Sequence, residues 1–186
     1  MTRQDNTIEK EQCKVLNLAH IDKRSNRYIH DGELSLKGKI YKAELKSSDL
    51  DKKTPYISTG RDFGLEKIEI WKREPDFFIF TGFSKTTGTR EHIFCLPTDL
   101  QPFYNSVSKK VNEGGKTWSG LNEWHIIKKQ IVSSGLPVDI NKAEKTWVRG
   151  SKLNDPRIKW SDVVKWGVRL NKEDPATHLR ELMEVG

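Results

Sequence analysis

The feature that most constrains this chain is a Lys37-Gly38 pair set inside an alternating stretch that runs from Tyr28 to Ser48. A two-residue turn at that pair folds the stretch into a hairpin. Leu36 and Lys39 flank the turn, so Leu34 faces Tyr41 and Gly32 faces Ala43. Leu36 and Leu45 fall on the same side, and the result is an apolar face able to pack on a core. Side chains alternate with a period of two, so everything else in the hairpin goes to the other face. There Asp31 lies opposite Glu44 and Glu33 opposite Lys42, while Lys46 sits two residues past Glu44, about 7 Å along the strand.

The remaining segments predict a mixture of helices and strands without a strict alternation of the two. Asn6 or Thr7 is the expected cap of a first helix carrying Ile8, Val15 and Leu16. Asp62 is the expected cap of a second helix over FGLEKIEIWKR, in which Leu65, Ile68 and Trp71 share a face and Pro75 prevents continuation. DFFIFTGF is dense in aromatic and branched residues and reads as a buried strand, KTTGT as a turn, and REHIFCL as the returning strand. Thr98 is placed to cap a helix over DLQPFYNSVSKKV, ended by Gly114-Gly115. NEWHIIKKQIV reads equally as a strand or a short helix, SSGLPVDINKAEK as loop, and Ser161 and Asp174 as caps of two short terminal helices. No repeat or linker divides the 186 residues, which predicts one domain with a core of about residues 20–130 and a tail, 131–186, that contacts DNA or a second copy.

Composition narrows the partners. No apolar run approaches the roughly 18 to 20 residues of a membrane span, and the opening MTRQDNTIEKEQ lacks the apolar stretch of a signal peptide. Two cysteines, Cys13 and Cys95, are too few for a disulfide scaffold or a four-cysteine zinc site, so a reducing cytoplasm is the expected setting. A formal net charge of +7 favours a polyanion as partner, because cations that neutralise phosphates release condensed counterions.

Like charges directly across a strand pair repel, so Asp31 opposite Glu44 asks for a cation between them. Mg²⁺ meets that need: it takes oxygen ligands and is held by one or two carboxylates together with water and substrate phosphate oxygens. A neighbouring ammonium, here Lys46, suits the orientation of an attacking water. A Glu-x-Lys triplet by itself is common, and Asp51-Lys52-Lys53 is another match. What singles out Glu44-Leu45-Lys46 is the registered Asp31 and the apolar opposite face, which marks a packed strand whose charges are aimed.

Asp31, followed after a hairpin by Glu44-Leu45-Lys46, resembles the PD-(D/E)xK nuclease superfamily, with His30 at the place of its nominal proline. YKAELKSS, ISTGRD, IWKREPDFFIF and IFCLPTDLQPFY are similar, in order and spacing, to segments of the PvuII-type Type II restriction endonucleases, over roughly residues 28 to 110. The resemblance implies a mixed α/β fold, a restriction-endonuclease-like central mixed β-sheet flanked by helices. It implies Asp31, Glu44 and Lys46 as catalytic residues, with Asp31 and Glu44 as Mg²⁺ ligands. It also implies double-stranded DNA as substrate, cleaved by a homodimer at a symmetric site. Ser58 and Thr59 fall at a turn that lies near DNA in that family. Gly60-Arg61-Asp62 replaces the family's guanine-reading histidine cluster, and Arg61 is expected either to read a guanine edge of the DNA or to contact Asp62 or a phosphate. Glu33 is expected either to pair with Lys42 or to join the metal site, and His30 to be packed or hydrogen-bonded.

Overall fold

The computed structural model describes residues 3–21, 30–59, 65–114, 120–144 and 157–185. Its strands are β1 Ala19–His20, β2 Gly32–Leu36, β3 Lys39–Asp49, β4 Tyr56–Ser58, β5 Phe77–Phe83, β6 Arg90–Cys95, β7 Arg157–Lys159 and β8 Val168–Arg169. The longer helices are α1 Arg3–Leu16, α2 Leu65–Arg73, α3 Gln101–Gly114, α4 Gly120–Ser134, α5 Trp160–Trp166 and α6 Pro175–Val185. The chain is therefore mixed α/β, with a six-stranded sheet in the order β1-β2-β3-β5-β6-β8 and a two-stranded ribbon of β4 and β7. Only β3 and β5 pair in parallel; every other neighbour in the large sheet is antiparallel.

The hairpin has the register its turn demands. Lys37 and Gly38 take φ of 49° and 78°, the left-handed pair of a type I′ turn, whose twist matches that of the flanking strands. Gly32 pairs with Ala43, Glu33 with Lys42 and Leu34 with Tyr41. Alternation then sends Leu34, Ala43 and Leu45 into one core with Cys13 and Leu16 of α1, Phe77 and Ile79 of β5, Phe94 of β6 and Leu179 of α6. The opposite face of β5 and β6 is apolar too, with Phe78, Phe80, Ile93 and Cys95 buried and Trp71 set 5.0 Å from Phe78. Strand β5 is thus buried on both sides, as its unbroken aromatic run requires.

The chain divides into two compact units, one of residues up to Ile57 with Trp71–Gln101 and the segment from Ile158, the other of Ser58–Ile70 and Pro102–Arg157. The first holds the six-stranded sheet. In the second, Ile68, Phe103, Tyr104, Val107 and Trp124 are buried, and Phe103 and Tyr104 rings lie 6.1 Å apart.

Several local expectations are corrected. Helix α1 begins at Arg3, so Asn6 and Thr7 lie inside it and neither caps it. Its buried side is Glu9, Gln12, Cys13 and Leu16, while Val15 is exposed. Asp99 rather than Thr98 shapes the start of the next helical segment: a 3₁₀ turn, Pro97–Leu100, leads into α3, and the Asp99 carboxylate accepts the Leu96 N–H at 2.7 Å. NEWHIIKKQIV is helical, within α4. Residues 140–144, expected as loop, are helical. Ser161 lies inside α5, whose cap position is Lys159. Asp174 does cap α6, accepting the Thr177 N–H at 3.1 Å and its hydroxyl at 2.6 Å. Those bonds hold its carboxyl below the usual carboxylate range. The expected Asp62 cap lies outside the described residues.

Gly167 shows where the fold needs glycine for space. A Cβ there would stand 2.5 Å from the Phe94 carbonyl oxygen and 2.6 Å from Cys95 Sγ, so only a bare backbone passes over β6 between α5 and β8. The turn makes the sharper test. Gly38→Ala is expected to lower stability by about 1 kcal/mol through left-handed strain, whereas Lys37→Asn, a residue that tolerates that region, is expected to raise it by a few tenths of a kcal/mol. Urea midpoints of both variants check the pair of signs.

Candidate active site

The site is built at the place where β2 begins and β3 runs on past it. The chain bends at Asp31, whose own N–H reaches the Ala43 carbonyl at 3.0 Å and whose carbonyl receives the Ile21 N–H at 3.1 Å. The next N–H along β3 on that side belongs to Leu45. A continuing ladder would give it a main-chain carbonyl; here Oδ2 of Asp31 accepts it at 2.8 Å. The Asp31 side chain is thereby locked, wholly buried, against the peptide that joins Glu44 to Leu45. Aspartate suits the place because its short side chain brings a charged acceptor to a backbone donor.

Glu44 and Lys46 leave β3 on the face opposite Ala43 and Leu45, and Lys46 Nζ lies 2.8 Å from Glu44 Oε1. Both side chains are mostly buried, 16% and 24% exposed. Their register partners on β5 are Phe78 and Phe80, both fully buried, so the ion pair stands beside aromatic rings rather than in open solvent. In such surroundings a charge pair is screened less than on a free surface. Among the described residues no group of three or more His, Cys, Asp or Glu side chains is gathered that could hold a metal ion by itself. The carboxylates expected to hold one are those of Asp31, bonded to the Leu45 N–H, and Glu44, bonded to Lys46. Two oxygen-bearing side chains fit a hard cation that leaves most of its shell to water and phosphate oxygens.

No protein-family model matches the chain, and no curated protein matches it.

Of the other expected site residues, Ser58 is exposed at the end of β4 and Thr59 is buried; both belong to the second unit. Arg61 lies outside the described residues. Glu33 and Lys42 stand opposite each other as the register requires, yet each pairs elsewhere. Glu33 Oε1 meets His30 Nε2 at 2.8 Å, and Lys42 Nζ approaches Glu74 at 3.9 Å. His30 is therefore the hydrogen-bonded residue expected. The competing triplet at Asp51 has a structural use: its carboxylate accepts from the Ser84 hydroxyl at 2.6 Å and from the Lys85 and Thr86 N–H groups at 2.8 and 3.2 Å. The Ser84 bond is the main reason its carboxyl sits below the usual range. Burial pushes the Cys13 thiol up to about 11 and Cys95 to about 12, which makes both poor nucleophiles.

Behind the site lies a polar row that the sequence offered no pattern to find. Gln12 of α1 donates from Nε2 to the Lys46 carbonyl at 3.1 Å and to Thr81 Oγ1 at 2.7 Å. Thr81 Oγ1 in turn lies 2.7 Å from His92 Nδ1. Burial holds His92 below its ordinary pKa, with Glu11 opposing the shift and Arg90 adding to it.

Two outcomes follow. Asp31→Asn keeps an oxygen for the Leu45 N–H and should unfold close to wild type, whereas Asp31→Ala strands that buried donor and should cost about 1–3 kcal/mol, read from denaturant unfolding. For His92, the unfolded chain takes a proton at about pH 6.5 while the folded imidazole resists it. Stability should therefore be level above that pH and fall as pH drops from it through the lower folded value. Urea midpoints between pH 5 and 8 check this, and His92→Gln should flatten the slope.

Proposed function

We propose that this chain is a Mg²⁺-dependent endonuclease hydrolysing phosphodiester bonds in double-stranded DNA, a sequence-specific Type II restriction enzyme on a restriction-endonuclease-like sheet. The observation that carries the reading is the strand β3 itself. One face feeds the core through Ala43 and Leu45, and the other presents Glu44 and Lys46 as a mostly buried pair 2.8 Å apart, with Asp31 bonded to the intervening peptide. A carboxylate and an ammonium held this way beside a second carboxylate suit phosphoryl chemistry better than they suit a solvated surface. The net charge of +7 agrees with a phosphate-rich partner.

In this reading Asp31 and Glu44 hold Mg²⁺, which when bound supplies a water of lowered pKa and neutralises charge on the phosphate. Asp31 keeps its Oδ2 bond to Leu45 and so arrives already oriented. Lys46 orients the attacking water and places its ammonium near the negative charge that builds on the phosphoryl oxygens. The water oxygen joins phosphorus, the 3′ oxygen leaves, and the products are a 5′-phosphate and a 3′-hydroxyl. One chain carries one such cluster, so cutting both strands of a symmetric site takes a homodimer related by a two-fold axis. The cytoplasm, where DNA is accessible, is the setting.

The test is digestion of plasmid DNA by the purified chain with Mg²⁺, Ca²⁺ or chelator. Discrete fragments with Mg²⁺ and binding without cutting in Ca²⁺ are expected, and sequencing the ends gives the site. A smear or cuts confined to junctions would replace restriction with a structure-directed nuclease. Glu44→Ala and Lys46→Ala should each lower the cleavage rate by about a hundredfold or more with DNA binding retained. Unchanged function in both variants would reduce the chain to a non-catalytic DNA-binding protein.

A further inference from the structure

The Lys46 main chain is held from behind by side chains that are far apart in sequence. Gln12 lies on the buried side of α1 and is 2% exposed. Its amide nitrogen must be the atom facing Lys46, because a carbonyl there accepts and cannot donate. The two protons of that nitrogen go to the Lys46 oxygen and to Thr81 Oγ1. Thr81 then has its own proton to give, and His92 Nδ1 at 2.7 Å accepts it when the imidazole is neutral with its proton on Nε2. Thr81 pairs with Ser47 on one side and with His92 on the other, so the row crosses β3, β5 and β6 in register.

This arrangement carries a cost. Gln12 Oε1 is buried with no hydrogen-bond partner among the described residues. An unmet buried acceptor costs about 1–3 kcal/mol, and a leucine in line with Cys13 and Leu16 would avoid it.

We infer that Gln12, Thr81 and His92 form a buried positioning chain that fixes the peptide of Lys46 and, through it, the direction of the Lys46 ammonium toward Glu44. As a statement about catalysis the inference rests on the nuclease reading; as a statement about the placing of Lys46 it does not. The Leu45 N–H is tied to Asp31 at one edge of the strand and the Lys46 carbonyl to Gln12. The peptide joining Glu44 to Leu45 and the peptide that follows Lys46 are thereby fixed from two directions, and a misplacement of about 1 Å at a reacting group can cost up to a hundredfold in rate.

Thr81→Val replaces the hydroxyl by a methyl of nearly the same shape, and Thr81→Ser restores the hydroxyl. On the full chain, single-turnover plasmid cleavage with Mg²⁺ should fall about tenfold in Thr81→Val, with DNA binding in Ca²⁺ unchanged, and should recover in Thr81→Ser. Gln12→Met, which removes both bonds at the other end, should show the same loss and guards against a folding defect peculiar to position 81. A second readout needs no activity: the ¹⁵N resonance of Lys46 Nζ and the carboxyl ¹³C resonance of Glu44 should shift in Thr81→Val and return in Thr81→Ser. Wild-type rates and resonances in both Thr81→Val and Gln12→Met would overturn the positioning chain while leaving the nuclease reading intact. A wild-type chain that does not cut DNA, but whose resonances respond as described, would overturn the nuclease reading and leave the positioning chain standing.

Discussion

Everything at the site depends on the two left-handed residues at the hairpin tip. With Lys37 and Gly38 as a two-residue loop, the strands have one register available, and register in a two-faced strand decides which side chains are buried. A slip by a single residue would move Ala43 and Leu45 out of the core and Glu44 and Lys46 into it. The burial of charge that such a slip demands is a penalty of several kcal/mol, so the apolar face enforces the placing of the polar one. The core and the candidate site are two sides of a single constraint.

The parallel pairing of β3 with β5 adds the second constraint. It sets Glu44 and Lys46 next to Phe78 and Phe80, and the resulting surroundings are apolar on the flank and polar behind. Just before a partner strand begins, a carboxylate takes over as ladder acceptor for β3: Asp31, ahead of β2, for Leu45 and Asp76, ahead of β5, for Lys42 at 2.7 Å. A strand extended past its partner exposes main-chain donors that must be met. Meeting one of them with Asp31 fixes a buried carboxylate at a defined place, between β3 and the start of β2.

How much was readable in the sequence follows from the range of the interactions. The hairpin, the buried β5, the returning β6 and the Asp174 cap are set by neighbours within a few residues, and each was legible. That Glu44 and Lys46 share the face opposite Ala43 and Leu45 followed from alternation alone, whereas their ion pair at 2.8 Å was not foreseen. The start of α1 was not legible, because three further residues before the apparent cap join the helix. Nor was the buried face of α1, which carries Glu9 and Gln12 in place of the Ile8 and Val15 that hydrophobicity favours. The row of Gln12, Thr81 and His92 spans separations of 69 and 11 residues, and no local pattern reports a pairing of that kind. The Glu33–Lys42 pair failed for a related reason: opposition across a ladder brings two charges near, but His30 and Glu74 offered each a partner.

The far end of the chain has a bearing on how the protein is made. Arg180 of α6 donates to the Leu16 carbonyl at 3.2 Å and to the Asn17 carbonyl at 2.9 Å, reaching the C-terminal end of α1 across 164 and 163 residues. Leu179 fills the same core as Leu16. The end of α1 is closed locally by Asn17, at φ 53°, and by the Leu18 N–H on the Cys13 carbonyl at 2.8 Å, and Arg180 adds its bonds to carbonyls at the same end. Contacts of such long range slow folding and lengthen the exposure of unfinished sheet.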